Sequence, residues 1–195
     1  IDNTLTPGGK NMGGYDEFAG RLQVAYNPDD KLDVLLSAHA RELDGTAAIF
    51  RANVITPGTN GLNGNYSRER VTYNQGGGNN QSYSGWGTSA NISYDFGDLE
   101  LTSITAYESA NGSSRGDSDG GVAGVGPRFI PFDSDTQDSI DDLEQTTQEF
   151  RLASDTPGPL SWQVGAYYFD SEFTVTTVGP SGFPPPATLT HGNQA

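Results

Sequence analysis

The chain has 195 residues with 10 Lys and Arg against 25 Asp and Glu, and a net charge of −15 excludes the basic footprint that nucleic-acid binding needs. Without a single cysteine, a disulfide framework and a thiolate metal site are excluded as well. The 26 Gly and 11 Pro, with 33% hydrophobic residues, lean toward loops, whereas the aromatics fall in alternating segments that point to ordered strands. No segment approaches the roughly 18 consecutive apolar residues of a membrane helix, but transmembrane strands alternate and hardly raise a hydropathy average, so a β-barrel stays open.

Residues 1–14, with Pro7, Gly8, Gly9, Gly13 and Gly14, have no periodicity and read as loop. From Glu17 an alternation begins, with Phe18, Gly20, Leu22, Val24 and Tyr26 against Ala19, Arg21, Gln23 and Ala25. Asn27-Pro28-Asp29-Asp30 reads as a tight turn, after which Leu32, Val34, Leu36, Ala38 and Ala40 share a face; this is a hairpin over about 17–41. Residues 42–86 are rich in Gly, Asn, Ser and Thr and are expected to form a long loop, with Ala47-Ala48-Ile49-Phe50 as a helical turn or a patch packed on the sheet. A second hairpin covers about 87–108, turning at Gly97-Asp98, with Ala90, Ile92, Tyr94 and Phe96 on one face. Its return strand leaves the phase open, because Leu99 and Leu101 compete with Ile104 and Ala106.

Residues 109–144 read as another long loop, Gly-rich and then acidic through Asp133, Asp135, Asp138, Asp141, Asp142 and Glu144. The third hairpin, about 145–176, sets Phe150 and Leu152 against Glu149, Arg151 and Ala153, turns at Asp155-Thr156-Pro157-Gly158-Pro159, and returns with Leu160, Trp162, Val164, Ala166 and Tyr168 on one side. Residues 177–195 read as loop, and the absence of a signal-like start leads to the expectation that the sequence is a piece of a longer protein.

Short turns alternate with long loops throughout, and that asymmetry is the pattern of an outer-membrane barrel. The fold expected is all-β: an antiparallel up-and-down meander of about six long strands, an arc of a larger transmembrane β-barrel. Tyr26, Tyr94, Phe96 and Trp162 near the short turns fit an interfacial aromatic girdle.

Ser93-Tyr94-Asp95-Phe96-Gly97-Asp98-Leu99, continuing into Leu101-Thr102-Ser103-Ile104-Thr105-Ala106-Tyr107, resembles a hairpin of TonB-dependent receptors. So does Gln148-Glu149-Phe150-Arg151-Leu152-Ala153-Ser154 followed by Gly158-Pro159-Leu160-Ser161-Trp162-Gln163-Val164-Gly165-Ala166-Tyr167-Tyr168-Phe169. The likeness covers about Phe18 to Phe173 outside the loops and is closest to the sphingomonad type of these Gram-negative receptors. It implies a barrel of about 22 strands around an N-terminal plug, located in the outer membrane. It also implies import of a ferric siderophore, haem, cobalamin or glycan with energy passed from the inner membrane. The partners implied are outer-membrane lipid, the remaining barrel and plug, the TonB complex through an N-terminal part missing from this sequence, and an unidentified small molecule. The plug, the other strands and the C-terminal aromatic strand are missing too. An alternative is a small outer-membrane or secreted β-protein with acidic, calcium-binding or adhesive loops.

No catalytic, cofactor or metal residue is assigned. Gly112-Ser113-Ser114-Arg115-Gly116 matches G-x-S-x-G, but Asp117-Ser118-Asp119-Gly120-Gly121 behind it is a poor helix start, which weighs against an esterase built on Ser114. Asp117-Ser118-Asp119-Gly120 opens like a calcium loop, then fails where Gly121 and Arg128 stand at ligand positions. The acidic run Asp133–Glu144 is expected to be a solvated loop, with weak calcium binding as the second reading. His39 and His191 are far apart and form no zinc motif, and Gly76–Gly78 is followed by no phosphate-binding Lys. His39 beside Arg41, and Glu149 with Arg151, are expected on a polar lumen wall, and Tyr66, Tyr73, Tyr83, Trp86, Phe129 and Phe132 are the loop aromatics available to a ligand.

Overall fold

The computed structural model describes residues 1–4, 12–73, 79–117, 119–120, 135–156, 159–178 and 187–191. Nine strands and no helix occur among them: β1 (Asp2–Asn3), β2 (Tyr15–Tyr26), β3 (Leu32–Thr46), β4 (Arg70–Val71), β5 (Asn80–Asp95), β6 (Leu99–Asp117), β7 (Asp135–Ser154), β8 (Gln163–Val178) and β9 (Ala187–His191). Seven form one open antiparallel meander in the order β2-β3-β5-β6-β7-β8-β9, and β1 and β4 form a small parallel pair. The expected all-β meander of long strands is what the chain adopts. Six of the strands run from 12 to 20 residues, against a usual length of about 5–6.

The turns between β2 and β3, β5 and β6, and β7 and β8 lie along one edge of this sheet and are stitched side by side. Asp95 N–H donates to the Lys31 carbonyl at 2.8 Å, and Asp155 N–H donates to the Asp98 carbonyl at 2.9 Å. In the first turn Asp29 Oδ1 accepts the N–H groups of Lys31 and Leu32, each at 2.9 Å. These two donors hold its carboxyl below the usual carboxylate range. The contribution is therefore in force above the ordinary carboxylate pKa of about 4 and fades as acidification passes the lower folded value. Gly97, at φ 95°, supplies the left-handed residue of the second turn.

The ladders run further toward the long-loop edge than periodicity indicates. The second hairpin spans Asn80 to Asp117 and the third Asp135 to Val178, so the expected loops over 42–86 and 109–144 contract and most of the acidic run lies in β7. Backbone pairing needs no apolar side chain, and Gly, Ser, Asn and Asp continue the strands where both faces are wet. Two smaller corrections concern the ends: Asp2–Asn3 pair with Arg70–Val71, and Ala187–His191 pair with β8. Leu160 and Trp162 precede β8, with Trp162 closing the turn through its carbonyl on Ser154 N–H at 2.9 Å.

Among the described residues no buried apolar side chain lies in the seven-stranded sheet. Met12, Val71 and Tyr73 cluster in a cap beyond the long-loop edge, with Ile49 packed on them and Ala47 buried nearby. Ala47–Phe50 accordingly forms no helical turn. Asn3 and Tyr73 exchange a reciprocal pair of hydrogen bonds, Nδ2 to the Tyr73 carbonyl at 2.9 Å and Tyr73 N–H to Oδ1 at 3.0 Å. The Tyr73 hydroxyl donates to the Phe50 carbonyl at 2.6 Å. Burial pushes its phenol well above the ordinary range, and the nearby carboxylates of Asp117 and Asp119 push the same way. Gly120, at φ 69°, lies so close to Arg51 and Ala52 that a Cβ would sit 2.7 Å from the Ala52 nitrogen, which joins the end of β6 to this cap.

The cap has its own buried side chains, Met12, Val71 and Tyr73, whereas the β5–β6 ladder is held by backbone pairing, so the two should open separately. Tyr73→Ala removes the largest buried side chain of the cap and is expected to cost about 3–5 kcal/mol of local stability. Hydrogen exchange measures it: the Val71 amide should lose protection while amides of the β5–β6 ladder keep theirs, and equal loss in both would show a single cooperative unit.

Candidate functional site

Side chains of directly paired residues share a face, so the register sorts the sheet into two surfaces. On the first, Phe18, Leu22, Val24 and Tyr26 of β2 stand beside Val34, Leu36, Ala38 and Ala40 of β3. Trp86, Ala90, Ile92 and Tyr94 of β5 follow. Leu99, Leu101 and Tyr107 of β6, Phe150 and Leu152 of β7, and Val164, Ala166 and Tyr168 of β8 complete the band. The register through β6 is unbroken from Leu99 to Ala110, so Leu99 and Leu101 belong to the apolar face and Ile104 and Ala106 to the other. Most of these side chains are exposed, among them Phe18 at 70%, Leu22 at 66% and Val164 at 58%. Contiguous apolar surface on this scale marks a contact with something other than water.

The band does not follow the rows of paired residues. Its loop-side limit falls at Phe18 on β2, Ala40 on β3, Trp86 on β5, Tyr107 on β6 and Tyr168 on β8, and on β7 it stops sooner, at Phe150. Phe18 is registered with Glu42, Ser84 and Asn111, whereas Tyr168 is registered through Gln148, Thr105, Ala90 and Leu36 with Val24. Across five ladders the limit therefore descends from the row of Phe18 to the row of Val24, about one residue per strand. With a rise of about 3.3 Å per residue and strands about 4.8 Å apart, the strands cross the band at roughly 35°. From Trp86 on β5 to Phe96 just beyond it the band runs about 33 Å, or roughly 27 Å in height after that tilt.

Besides Thr88, a cluster of three polar side chains enters the band, and it is internally bonded. Gln148 accepts from the Thr105 hydroxyl and donates to Ser103 Oγ at 3.1 Å. Aromatic rings mark both limits: Tyr94 and Phe96 meet edge to face at 4.7 Å near the turns, and Trp86 and Tyr107 stand 5.3 Å apart near the loops.

The second face carries the charged side chains, interspersed with Leu35, Ile104, Tyr167 and Phe169. His39 Nε2 lies 3.1 Å from Glu108 Oε2, and the two strands between which they reach are separated by β5 at Gly87. A Cβ at Gly87 would fall 2.2 Å from that carboxylate oxygen, so glycine leaves the gap through which the pair meets. Arg41 pairs with Glu17 at 2.7 Å and Arg151 with Glu149 at 2.5 Å, all four on this face. His39, Arg41, Glu149 and Arg151 thus share one surface, as expected. Toward the loops the face carries an apolar stripe, Leu43, Tyr83, Ile140, Leu143 and Val175, in a groove of about 610 Å³.

The remaining sequence candidates are dispersed. Gly112–Gly116 lies within β6, so no strand-to-helix elbow forms and Ser114 faces Gln81 and Asp138 in mid-sheet. Asp117 and Asp119 are buried, and Asp117 Oδ1 accepts Gly120 N–H at 2.9 Å, which makes this a chain turn. Among the described residues no three potential metal ligands gather. Of the loop aromatics, Tyr83 and Trp86 are strand residues on opposite faces and Tyr73 is buried in the cap, which corrects their assignment as loop contacts. Tyr66 stands under Arg51 at 5.6 Å. Phe129, Phe132, Asp133, Arg128 and Gly76–Gly78 lie outside the described residues, as do the side chain of Asp135 and that of His191.

Comparison with protein-family models, with curated proteins and with solved structures gives no match. Among the described residues no helix is long and apolar enough to cross a membrane, which says nothing about strands that cross one.

The apolar face leads to a direct expectation for the 195-residue chain. In detergent-free buffer it should aggregate on size exclusion, and detergent should make it monodisperse. A sharp monomer peak in plain buffer would show that the face is covered by the chain itself.

Proposed function

We propose that the chain is wall and outer loops of an outer-membrane β-barrel of the TonB-dependent receptor type, whose parent imports a nutrient. The apolar face meets outer-membrane lipid, the polar face lines the lumen, the short turns face the periplasm and the long loops face outward. The other partners in this reading are the rest of the barrel, the plug and the TonB complex, none of which this stretch supplies. It has no catalytic role: it forms a wall.

The observation that carries the reading is the slanted apolar band. A bilayer cuts tilted strands on an oblique line, which is the form this band takes. The slope of roughly 35° and height of roughly 27 Å are close to those of outer-membrane barrels. The internally bonded Ser103–Gln148–Thr105 group supports it further, because lipid offers no partner to a polar atom. The edges agree too, since among the described residues β2 and β9 each have one unpaired side that a closed barrel would pair.

This stretch contributes no cysteine of its own, so single cysteines can be introduced into it one face at a time. They are placed in the native gene product in intact outer membranes at Val24, Leu36 and Ile92 of the apolar face and at Gln23, Ser37 and Asn91 of the polar face. A membrane-impermeant maleimide should label the second set and spare the first. Equal labelling of both would favour the small secreted β-protein and remove the lipid assignment. Leu36→Arg, near the middle of the band, should cost about 2–4 kcal/mol of folding stability in bilayers, and Ser37→Arg much less.

A further inference from the structure

We propose that Asn60 is a modification site, converted with time to aspartyl and isoaspartyl through an imide formed with the Gly61 nitrogen. The inference stands apart from the barrel reading, since it depends only on the loop around Asn60.

Three Asn-Gly pairs occur in the chain, Asn60-Gly61, Asn63-Gly64 and Asn111-Gly112. In each, the glycine lacks the Cβ that would crowd the approach of its nitrogen to the asparagine side chain. The letters alone rank the three equally, and what holds each amide separates them. Asn63 Nδ2 donates to the Asn53 carbonyl at 2.9 Å and to the Ile55 carbonyl at 3.2 Å, while its Oδ1 accepts Asn65 N–H at 2.9 Å. Asn111 lies in β6, paired with Ser84, and its Oδ1 accepts Asp142 N–H at 2.8 Å. The Asn60 side chain is exposed and makes no hydrogen bond among the described residues. It lies outside every strand, in the tip closed by the Ile55–Leu62 bridge.

The attacking group has a partner for its proton. The Thr59 hydroxyl donates to the Thr56 carbonyl at 3.0 Å, which leaves its oxygen to accept Gly61 N–H at 3.1 Å. In the step itself the Gly61 nitrogen forms a bond to Asn60 Cγ and gives up its proton. The side-chain amide nitrogen takes up a proton and leaves as ammonia. Water then opens the imide. Attack at Cγ leaves an aspartyl residue, and attack at the main-chain carbonyl of Asn60 leaves an isoaspartyl residue whose chain runs through Cγ. Residues 52–66 carry no charged side chain, so either product puts a carboxylate on a neutral tip. The isoaspartyl form also lengthens the backbone beside the Gly61 carbonyl, which accepts Thr56 N–H at 2.9 Å.

The test incubates the full native protein, purified in detergent, in mildly alkaline buffer and follows each Asn-Gly pair by peptide mass spectrometry. The mass change of an NH2-to-OH exchange marks conversion, and an isoaspartyl methyltransferase with a labelled methyl donor counts the isoaspartyl product. Asn60 should convert about tenfold or more faster than Asn63 or Asn111, whose amides must first leave their partners. In denaturant those partners are gone and the three rates should converge. Gly61→Ala, whose Cβ would meet Thr59 Oγ1 at an ordinary 3.5 Å, leaves the loop its shape and should slow Asn60 about tenfold. Conversion of Asn63 or Asn111 as fast as Asn60 in the folded protein, or an Asn60 rate unmoved by Gly61→Ala, overturns the proposal. So does an unchanged spread of rates in denaturant, which would assign the preference to neighbouring sequence instead of the fold.

Discussion

The structure depends on one constraint, the phase of the backbone pairing carried unbroken across the apolar band. Side chains alternate with a period of two, so a slip of one residue in any ladder would turn an entire strand over and mix apolar with polar on both surfaces. From Tyr26 through Val34, Ile92 and Ser103 to Phe150 and Ala166 each residue faces its partner without a shift. The two irregularities, at Ala110/Gly112 and at Asp141/Glu144, both lie on the loop side of the band. Asp142 takes a positive φ of 52° at the second, and its N–H is received by Asn111 Oδ1 at 2.8 Å. A bulge there leaves the apolar surface intact and returns Ile140 and Leu143 to the same polar-side stripe.

That constraint creates an energetic problem which the chain does not solve alone. A soluble domain recovers the entropy of ordering its backbone by burying apolar area between layers. Here the long strands have one layer, and the buried apolar side chains, Met12, Ala47, Val71 and Tyr73, belong to the small cap. The hydrogen-bonded ladders contribute modestly on balance, since water competes for the same groups. The hydrophobic contribution for the sheet must therefore come from its surroundings. In the proposed reading lipid supplies it, and the rest of a closed barrel supplies partners for the free sides of β2 and β9.

How much of this was readable in the sequence divides along the strands. Where apolar and polar residues alternate, as from Phe18 to Tyr26 or from Phe150 to Ser154, period and face follow from the letters. Beyond the band both faces are wet, the alternation disappears, and stretches such as Asn80–Gly85 or Asp135–Glu144 look like loop although pairing continues through them. The phase of Leu99–Tyr107 was undecidable locally because both of its faces carry aliphatic residues; only the partners on β5 and β7 fix it. Asn3 with Tyr73, and Gly120 against Arg51, join positions far apart in sequence with no periodic signal. On the polar face His39 with Arg41 and Glu149 with Arg151 were visible as alternate residues, but the reach of Glu108 over Gly87 to His39 required the register.

Tyr73 and Tyr83 illustrate why residue type alone did not locate the candidate site. Ten positions apart in one Gly- and Asn-rich stretch, they have the same apparent standing in the sequence. The first is 1% exposed and uses its hydroxyl to hold the cap together; the second is 38% exposed, with its hydroxyl over Gly85 and Arg41 against its ring. What separates them is that pairing of β5 begins at Asn80, before Tyr83 and after Tyr73. Extending β5, β6 and β7 past the apolar band carries a flat polar surface to the level of the loops, where Gln81, Ser114 and Asp138 become neighbours. A barrel whose strands ended with the band would leave those three on separate loops with no fixed spacing. The length of the strands, more than any motif, fixes the spacing of these polar groups.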